Sequence, residues 1–211
     1  MTPAPDIALP VFGETLPLAG QERPERADAA ENRRKVLAAA ERLFAAGSPD
    51  CVTMDAVAAE AGVGKGTLFR RFGDRAGLAR AVLSRHETDF QDEIIRGAPP
   101  LGPGAPPLER LIAFGAAYLE FLETHGALLR EAEGSHDAFL HSEVYAFYRM
   151  HVTLLLREAG MGERADFFAD VVMFPLAATA HRYFRGLRAL SCEQLADAHA
   201  DLCTRLLDSA G

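Results

Sequence analysis

Lys65, Gly66, Thr67, Phe69, Arg70 and Arg71 fall within the single run KGTLFRR, a mixture suited to contact with a polyanion. Ammonium and guanidinium groups pair with phosphate or with guanine edges, and a hydroxyl hydrogen-bonds to phosphate. A glycine lets the backbone come close to a surface. Leu68 and Phe72 are one helical turn apart, so both can pack inward. That turns Lys65, Phe69, Arg70 and Arg71 outward or sideways. The bland alternative is a solvated surface helix whose arginines serve solubility.

A second group of residues is apolar and aromatic. Leu111, Phe114, Tyr118, Phe121 and His125 follow one another at steps of 3, 4, 3 and 4, a continuous helical face ending on a titratable side chain. His136, Phe139, Tyr145, Tyr148, Met150 and His151 come next, then Phe168, Met173, Phe174 and His181. An apolar pocket with a few polar groups to fix orientation is the general make-up of a small-molecule site. Its candidate lining is Phe114, Tyr118, Phe121, His125, His136, Phe139, Tyr148, His151 and Phe174. The same stripe would equally serve as plain core.

Other chemistries lack their residues. No H-x-x-x-H pair lies on one helix, and His136 and His141 are five apart, so no metal site is expected. There is no phosphate-binding loop, no H-E-x-x-H and no Ser-His-Asp arrangement. Glu131 and Glu133 beside His136 have nothing visible to orient them. The chain is therefore not expected to be an enzyme or to carry a cofactor. Cys51, Cys192 and Cys203 show no C-x-x-C spacing and read as small hydrophobes.

The elements that must position these residues are helices. Two-residue alternation of Val, Ile and Thr is nearly absent, while Ala, Leu, Glu and Arg abound. Residues 1–26, with prolines at 3, 5, 10, 17 and 24, read as a flexible arm. A helix follows over about Asp28–Ala46, with Val36, Leu37, Ala40, Leu43 and Phe44 on one face. Thr53 caps a short helix to Ala61, Gly62-Val63-Gly64 is a tight turn, and Lys65–Phe72 is a second short helix. Asp74 caps a longer helix that drifts into charged residues towards Arg96. The run 97–107, GAPPLGPGAPP, cannot continue a helix and reads as a pliant connector.

Beyond it, Pro107 suits a helix first turn, and Gly126 reads as that helix's end. A short helix over about Ala127–Glu133, a long one over Asp137–Ala159 and another over Glu163–Leu187 are expected. Pro175 should kink the last, by curvature around the core or by freeing a carbonyl towards a cavity. Ser191 and Gln194 form a capping-box pattern opening a final helix. The domains expected are 27–96, with the helix-turn-helix and its connecting helix, and 108–211, a helical bundle.

Charge is uneven along the chain. Residues 27–85 hold ten Lys/Arg and seven Asp/Glu, a net of +3, whereas the whole chain carries −8, leaving −11 for the rest. A basic module on an acidic body fits nucleic-acid contact at one end. No apolar run reaches bilayer length, and Met1–Gly20 has no basic start and long apolar stretch, so a cytoplasmic address is expected and no membrane partner.

The stretch from Val36 to Leu78 resembles the N-terminal domain of the TetR family of transcriptional regulators. The resemblance is carried by VLAAAERLF and by VTMDAVAAEAGVGKGTLFRRFGDRAGL. It implies an all-α protein, a helix-turn-helix domain followed by a ligand-binding and dimerisation bundle. It also implies a repressor of transcription that leaves a palindromic double-stranded operator when a small apolar or aromatic effector binds. By position, Thr53 would meet phosphate, and Lys65, Gly66 and Thr67 would form the base-reading edge. Phe69 replaces the family's usual Tyr and loses its hydroxyl. Arg71 replaces the usual His and Arg75 the usual Lys, and both offer forked donors to phosphate. The last two long helices would pair with their symmetry mates in a homodimer. A helix-turn-helix serving only protein partners is the weaker alternative, since Arg70, Arg71 and Arg75 form a basic cluster.

Overall fold

The computed structural model describes residues 27–46, 52–133 and 142–208. Among these every regular element is helical, and no strand occurs. The elements are α1 (Ala27–Ala46), α2 (Met54–Ala61), α3 (Lys65–Phe72), α4 (Arg75–Arg96), α5 (Pro107–Glu133), α6 (Glu143–Glu158), α7 (Ala165–Met173), α8 (Ala178–Arg182) and α9 (Cys192–Asp208). No described helix is long and apolar enough to cross a membrane. Residues 1–26 and Cys51 lie outside the described residues.

Local chemistry sets most helix ends. The Thr53 hydroxyl accepts from Ala56 N at 3.1 Å, the Asp74 carboxylate accepts from Gly77 N at 2.7 Å, and Ser142 accepts from Tyr145 N at 3.1 Å. Each occupies a donor that the first helical turn leaves unpaired, worth about 1 kcal/mol. At α9 the capping box is complete: Ser191 N donates to Gln194 Oε1 at 2.8 Å, and Gln194 N to Ser191 Oγ at 3.0 Å.

α5 is the strut of the molecule, packing along α4, α6, α8 and α9. It departs from the sequence expectation by running straight through Gly126 to Glu133. A helical glycine costs about 1 kcal/mol relative to alanine. That cost is outweighed because the extra turn buries Leu128, Leu129 and Ala132 in the core. No separate helix over 127–133 exists.

The expected helix over Glu163–Leu187 is instead five pieces. A 3₁₀ turn at 162–164 leads into α7, a second 3₁₀ turn follows at Phe174–Leu176, and Ala177 is extended with ψ 142°. α8 then opens into a wider π turn at Tyr183–Leu187. Pro175 explains the break, since it has no N–H to donate and its ring crowds the preceding turn. The connector also has more order than its composition suggests. Leu101 is half-buried, Gly102 is buried, and Gly102 N donates to Ala98 O at 3.0 Å. The close approach of Gly97 to Gly102 leaves no room for a Cβ on the latter.

Cross-links between elements are polar as well as apolar. Glu123 on α5 accepts from His181 Nε2 at 2.8 Å and from the Arg185 guanidinium, which holds its carboxyl below the usual range. Arg149 on α6 donates to Asp170 on α7 at 2.8 Å, and the Tyr145 hydroxyl donates to the same carboxylate at 2.9 Å. Cys203 is fully buried, where loss of solvation raises its thiol to about 12. Such a thiol is inert. Cys192 is half-buried.

Candidate nucleic-acid interface and aromatic core

Three short-range features shape the head. α2 ends on Gly62, whose left-handed φ of 66° lets its N–H turn back to Ala59 O while Val63 N reaches Ala58 O. This closing pattern redirects the chain sharply. α3 then leaves at an angle, anchored by Leu68, which is 1% exposed, against the core that also holds Val57 and Leu78. Gly73, with φ 77°, ends α3, and Asp74 starts α4 at once. The first turn of α4 lies so close to α3 that a Cβ on Gly77 would overlap the Phe72 carbonyl oxygen.

With Leu68 inward, the other face of α3 is presented to solvent. Lys65, Gly66, Thr67, Phe69 and Arg70 are exposed, while Arg71 and Phe72 are half-buried. Open space surrounds Gly66, so its missing side chain leaves backbone accessible rather than relieving a clash inside. The Lys65 ammonium lies 2.7 Å from Asp55 Oδ2 on α2 and 5.9 Å from the Phe69 ring centroid. Thr53 is exposed at the start of α2, where its oxygen is occupied as a cap and its hydroxyl proton is left for an outside acceptor.

The two flanking arginines sit differently from Arg70. Arg71 donates to Ala29 O on α1 at 3.3 Å. Arg75 turns away from α3 and grips the far end of α5: its Nε donates to Glu131 Oε1 at 2.7 Å, and Nη2 also meets Glu131 Oε2. Its Nη1 donates to Val52 O at 3.3 Å. One turn on, Arg80 Nη1 donates to Ala132 O at 3.0 Å.

The aromatic face of α5 meets α4 and α6. Tyr118 and Tyr148 ring centroids are 5.1 Å apart, and Phe114 stands 5.8 Å from Tyr118 and 5.5 Å from His151. Phe114, Tyr118 and Tyr148 are fully buried, whereas Phe121 and His125 are half-buried at one margin. His125 stacks on His86 of α4 at 4.2 Å, and His86 reaches Glu41 of α1 at 2.9 Å. Burial, then the neighbouring His86, pushes His125 down to about 4. Burial also pushes His151 down to about 4, with Arg110 adding to it.

Two expected members fall at 136 and 139, outside the described residues. Phe174 is not brought to the cluster: it is 48% exposed on the 3₁₀ turn that Pro175 creates. The break in the helix rotates it to the surface.

Comparison with known proteins bears on the head first. The profile of bacterial regulatory proteins of the tetR family matches residues 36–82, the segment from α1 to α4 just described. Over that segment the chain is similar to the TetR family. An HTH-type transcriptional regulator of Staphylococcus aureus is 37% identical over 65 residues, 31% of this chain and 35% of that protein. The match thus spans about a third of such relatives.

The fold likeness reaches further. A TetR-like transcriptional regulator from Rhodococcus sp. RHA1 superposes with TM-score 0.60 at 23% identity, over 88% of this chain and 99% of its own. NalD of Pseudomonas aeruginosa, the secondary repressor of the MexAB-OprM multidrug efflux pump, superposes with TM-score 0.56 at 18% identity, covering 84% and 97%.

Sequence reasoning missed the contribution of α4 to the aromatic core. Phe90 touches four of its rings, at 6.2 Å from Phe114, 5.9 Å from Tyr118, 5.5 Å from Phe121 and 5.7 Å from Tyr148. Glu87 lies half-buried one turn earlier, and burial pushes its carboxyl up to about 7. A signal was present: Leu83, Glu87, Phe90 and Ile94 recur at steps of 4, 3 and 4. The acidic residues between them obscured it.

Proposed function

We propose that this chain is a DNA-binding transcriptional regulator, a repressor released from a palindromic operator by a small apolar or aromatic effector. The observation that carries the reading is the exposed face of α3: Lys65, Thr67, Phe69 and Arg70 point to solvent while Leu68 is sealed in the core. A rigid helix with that face, braced by α1, α2 and α4, can enter a major groove. Lys65, Gly66 and Thr67 read base edges. Arg70 and the Thr53 hydroxyl meet phosphate, Phe69 packs against the backbone, and Arg71 reaches it from the edge. Arg75 supports the head through Glu131.

A palindromic operator needs two heads, and so a homodimer. Exposed large apolar residues gather on the α7–α8 segment: Phe167 is 69% exposed, Leu187 81% and Tyr183 45%. Together with α9 they form the face by which two copies associate. The aromatic core between α4, α5 and α6 receives the effector, and α4 carries the consequence to the head.

The test is selection of randomised duplex DNA by the full chain, followed by mobility shift on the enriched sequence. An inverted repeat should emerge, with half-site centres about 34–36 Å apart along the helix axis. Lys65→Ala should alter the preferred sequence, whereas Arg70→Ala should weaken binding to every sequence. Failure to enrich any sequence would defeat the reading.

A further inference from the structure

Among the described residues, four side chains bury a polar atom without a hydrogen-bond partner: Arg110 Nε, Tyr148 Oη, His151 Nε2 and His199 Nε2. Buried polar atoms without partners are rare and costly. Three of these border the same aromatic core. Tyr148 and His151 are one turn apart on α6, both against Phe114. Arg110 is one turn before Phe114 on α5 and close enough to His151 to depress its basicity. The Gln91 amide lies beside the Tyr148 phenol without reaching hydrogen-bond geometry.

Among the described residues, Glu87 and Arg110 border this core, and they differ in what they require. Glu87 has no ion pair among the described residues, but a carboxyl can take up a proton and stand neutral, and burial here moves it in that direction. A guanidinium has no such escape. Arg110 is half-buried, and among the described residues no carboxylate pairs with it and its one hydrogen bond is a long one, Nη2 to Ile94 O at 3.4 Å. The unmet demand at this site is therefore for an anion.

We propose that the effector is an aromatic or alicyclic carboxylic acid, its carboxylate received by Arg110 and His151 and its apolar body lying among Phe90, Phe114, Tyr118 and Tyr148. Arg110 Nε–H donates to one carboxylate oxygen. His151, as the neutral imidazole with its proton on Nε2, donates to the other, and the Tyr148 hydroxyl faces the ring of the ligand. This rests on the effector site proposed above and names the ligand class for it.

The test compares three probes of one shape on the full-length protein by calorimetry at neutral pH: naphthoate, naphthylmethanol and naphthylmethylammonium. Naphthoate should bind at least about tenfold more tightly than the alcohol, the scale of a charge-assisted hydrogen bond. Arg110→Met should abolish that preference and leave the alcohol's affinity within about twofold, as loss of a contact made only to the charge implies. The same substitution should raise the melting temperature of the ligand-free protein, because it removes an unpaired half-buried charge.

Equal affinities for the three probes, or a preference for the ammonium that Glu87→Gln removes, would overturn the carboxylate and leave the effector site standing. No binding of any probe, with operator binding intact, would overturn both. A fall in melting temperature on Arg110→Met would mark Arg110 as a structural tie to Ile94, against the proposal.

Discussion

Arg75 and Glu131 are 56 residues apart in sequence, yet their side chains meet, with Nε 2.7 Å from Oε1 and a second contact between Nη2 and Oε2. One belongs to the first turn of α4, directly after the helix that faces outward in the head. The other belongs to the last turn of α5, whose opposite end carries Arg110 and Phe114. The two side chains are 28% and 19% exposed, so water screens the pair only partly. A fork-to-carboxylate contact of this kind fixes angle as well as distance. α5 is thereby a second rigid link from the body to the head, alongside α4.

The first prediction follows from that clamp. A double-mutant cycle with Arg75→Ala and Glu131→Gln, read by denaturant unfolding, should return a coupling of about 1–3 kcal/mol. Arg70→Ala should lower the salt slope of DNA binding by about one unit, and Arg75→Ala should leave it close to wild type. A full unit lost with Arg75→Ala, together with zero coupling to Glu131, would mean that Arg75 serves phosphate instead.

The second concerns two glycines that admit no side chain. A Cβ on Gly77 would overlap the Phe72 carbonyl oxygen, and one on Gly115 would overlap the imidazole of buried His199. Gly77→Ala and Gly115→Ala should each destabilise by about 1–3 kcal/mol, although alanine is the better helix former. Gly66→Ala, in open space, should instead leave stability unchanged or slightly raised, and a loss there comparable to the other two would defeat the steric account.

The third is a pH dependence with a definite sign. Burial lowers His125, His151 and His199 to about 4 from an ordinary 6.5. The unfolded chain then binds protons that the folded one refuses, so stability is full above 6.5 and falls as pH drops towards 4. Glu87, raised to about 7, acts in the opposite sense: its contribution is full below 4.5 and lost as pH rises through 7. His199→Gln should flatten the acid limb of melting temperature against pH, and Glu87→Gln the neutral limb. Parallel profiles for wild type and both variants would contradict the assignment.

The fourth concerns assembly. Deleting α9 would strip the core of buried Leu195, His199 and Cys203, so a truncation would confound dimerisation with folding. Phe167→Glu and Leu187→Glu change exposed positions and should cost the fold little. Each should convert a dimer to a monomer in sedimentation and remove tight operator binding while the melting temperature of the isolated chain holds. A Leu187→Glu protein that remains dimeric would place the contact elsewhere.

What the sequence determined by itself is what short-range chemistry decides. Thr53, Gly62, Asp74, Ser191 and Gln194 mark helix ends because each cap is made within a few residues, so the pattern is legible without a partner. The inward Leu68 and outward Lys65, Thr67 and Arg70 follow from helical period alone. Everything that depended on a distant partner was decided by the tertiary structure. Gly126 looked like a helix end until burial of Leu128 and Leu129 outweighed its entropic cost. Arg75 reads as a phosphate ligand in the sequence, and its contact with Glu131, 56 residues away, is visible only in the tertiary structure. Phe90 and Glu87 belonged to a charged stretch until α5 and α6 closed over them. Phe174 left the aromatic core because Pro175 breaks the hydrogen-bond ladder, and the turn that results determines which way its ring points.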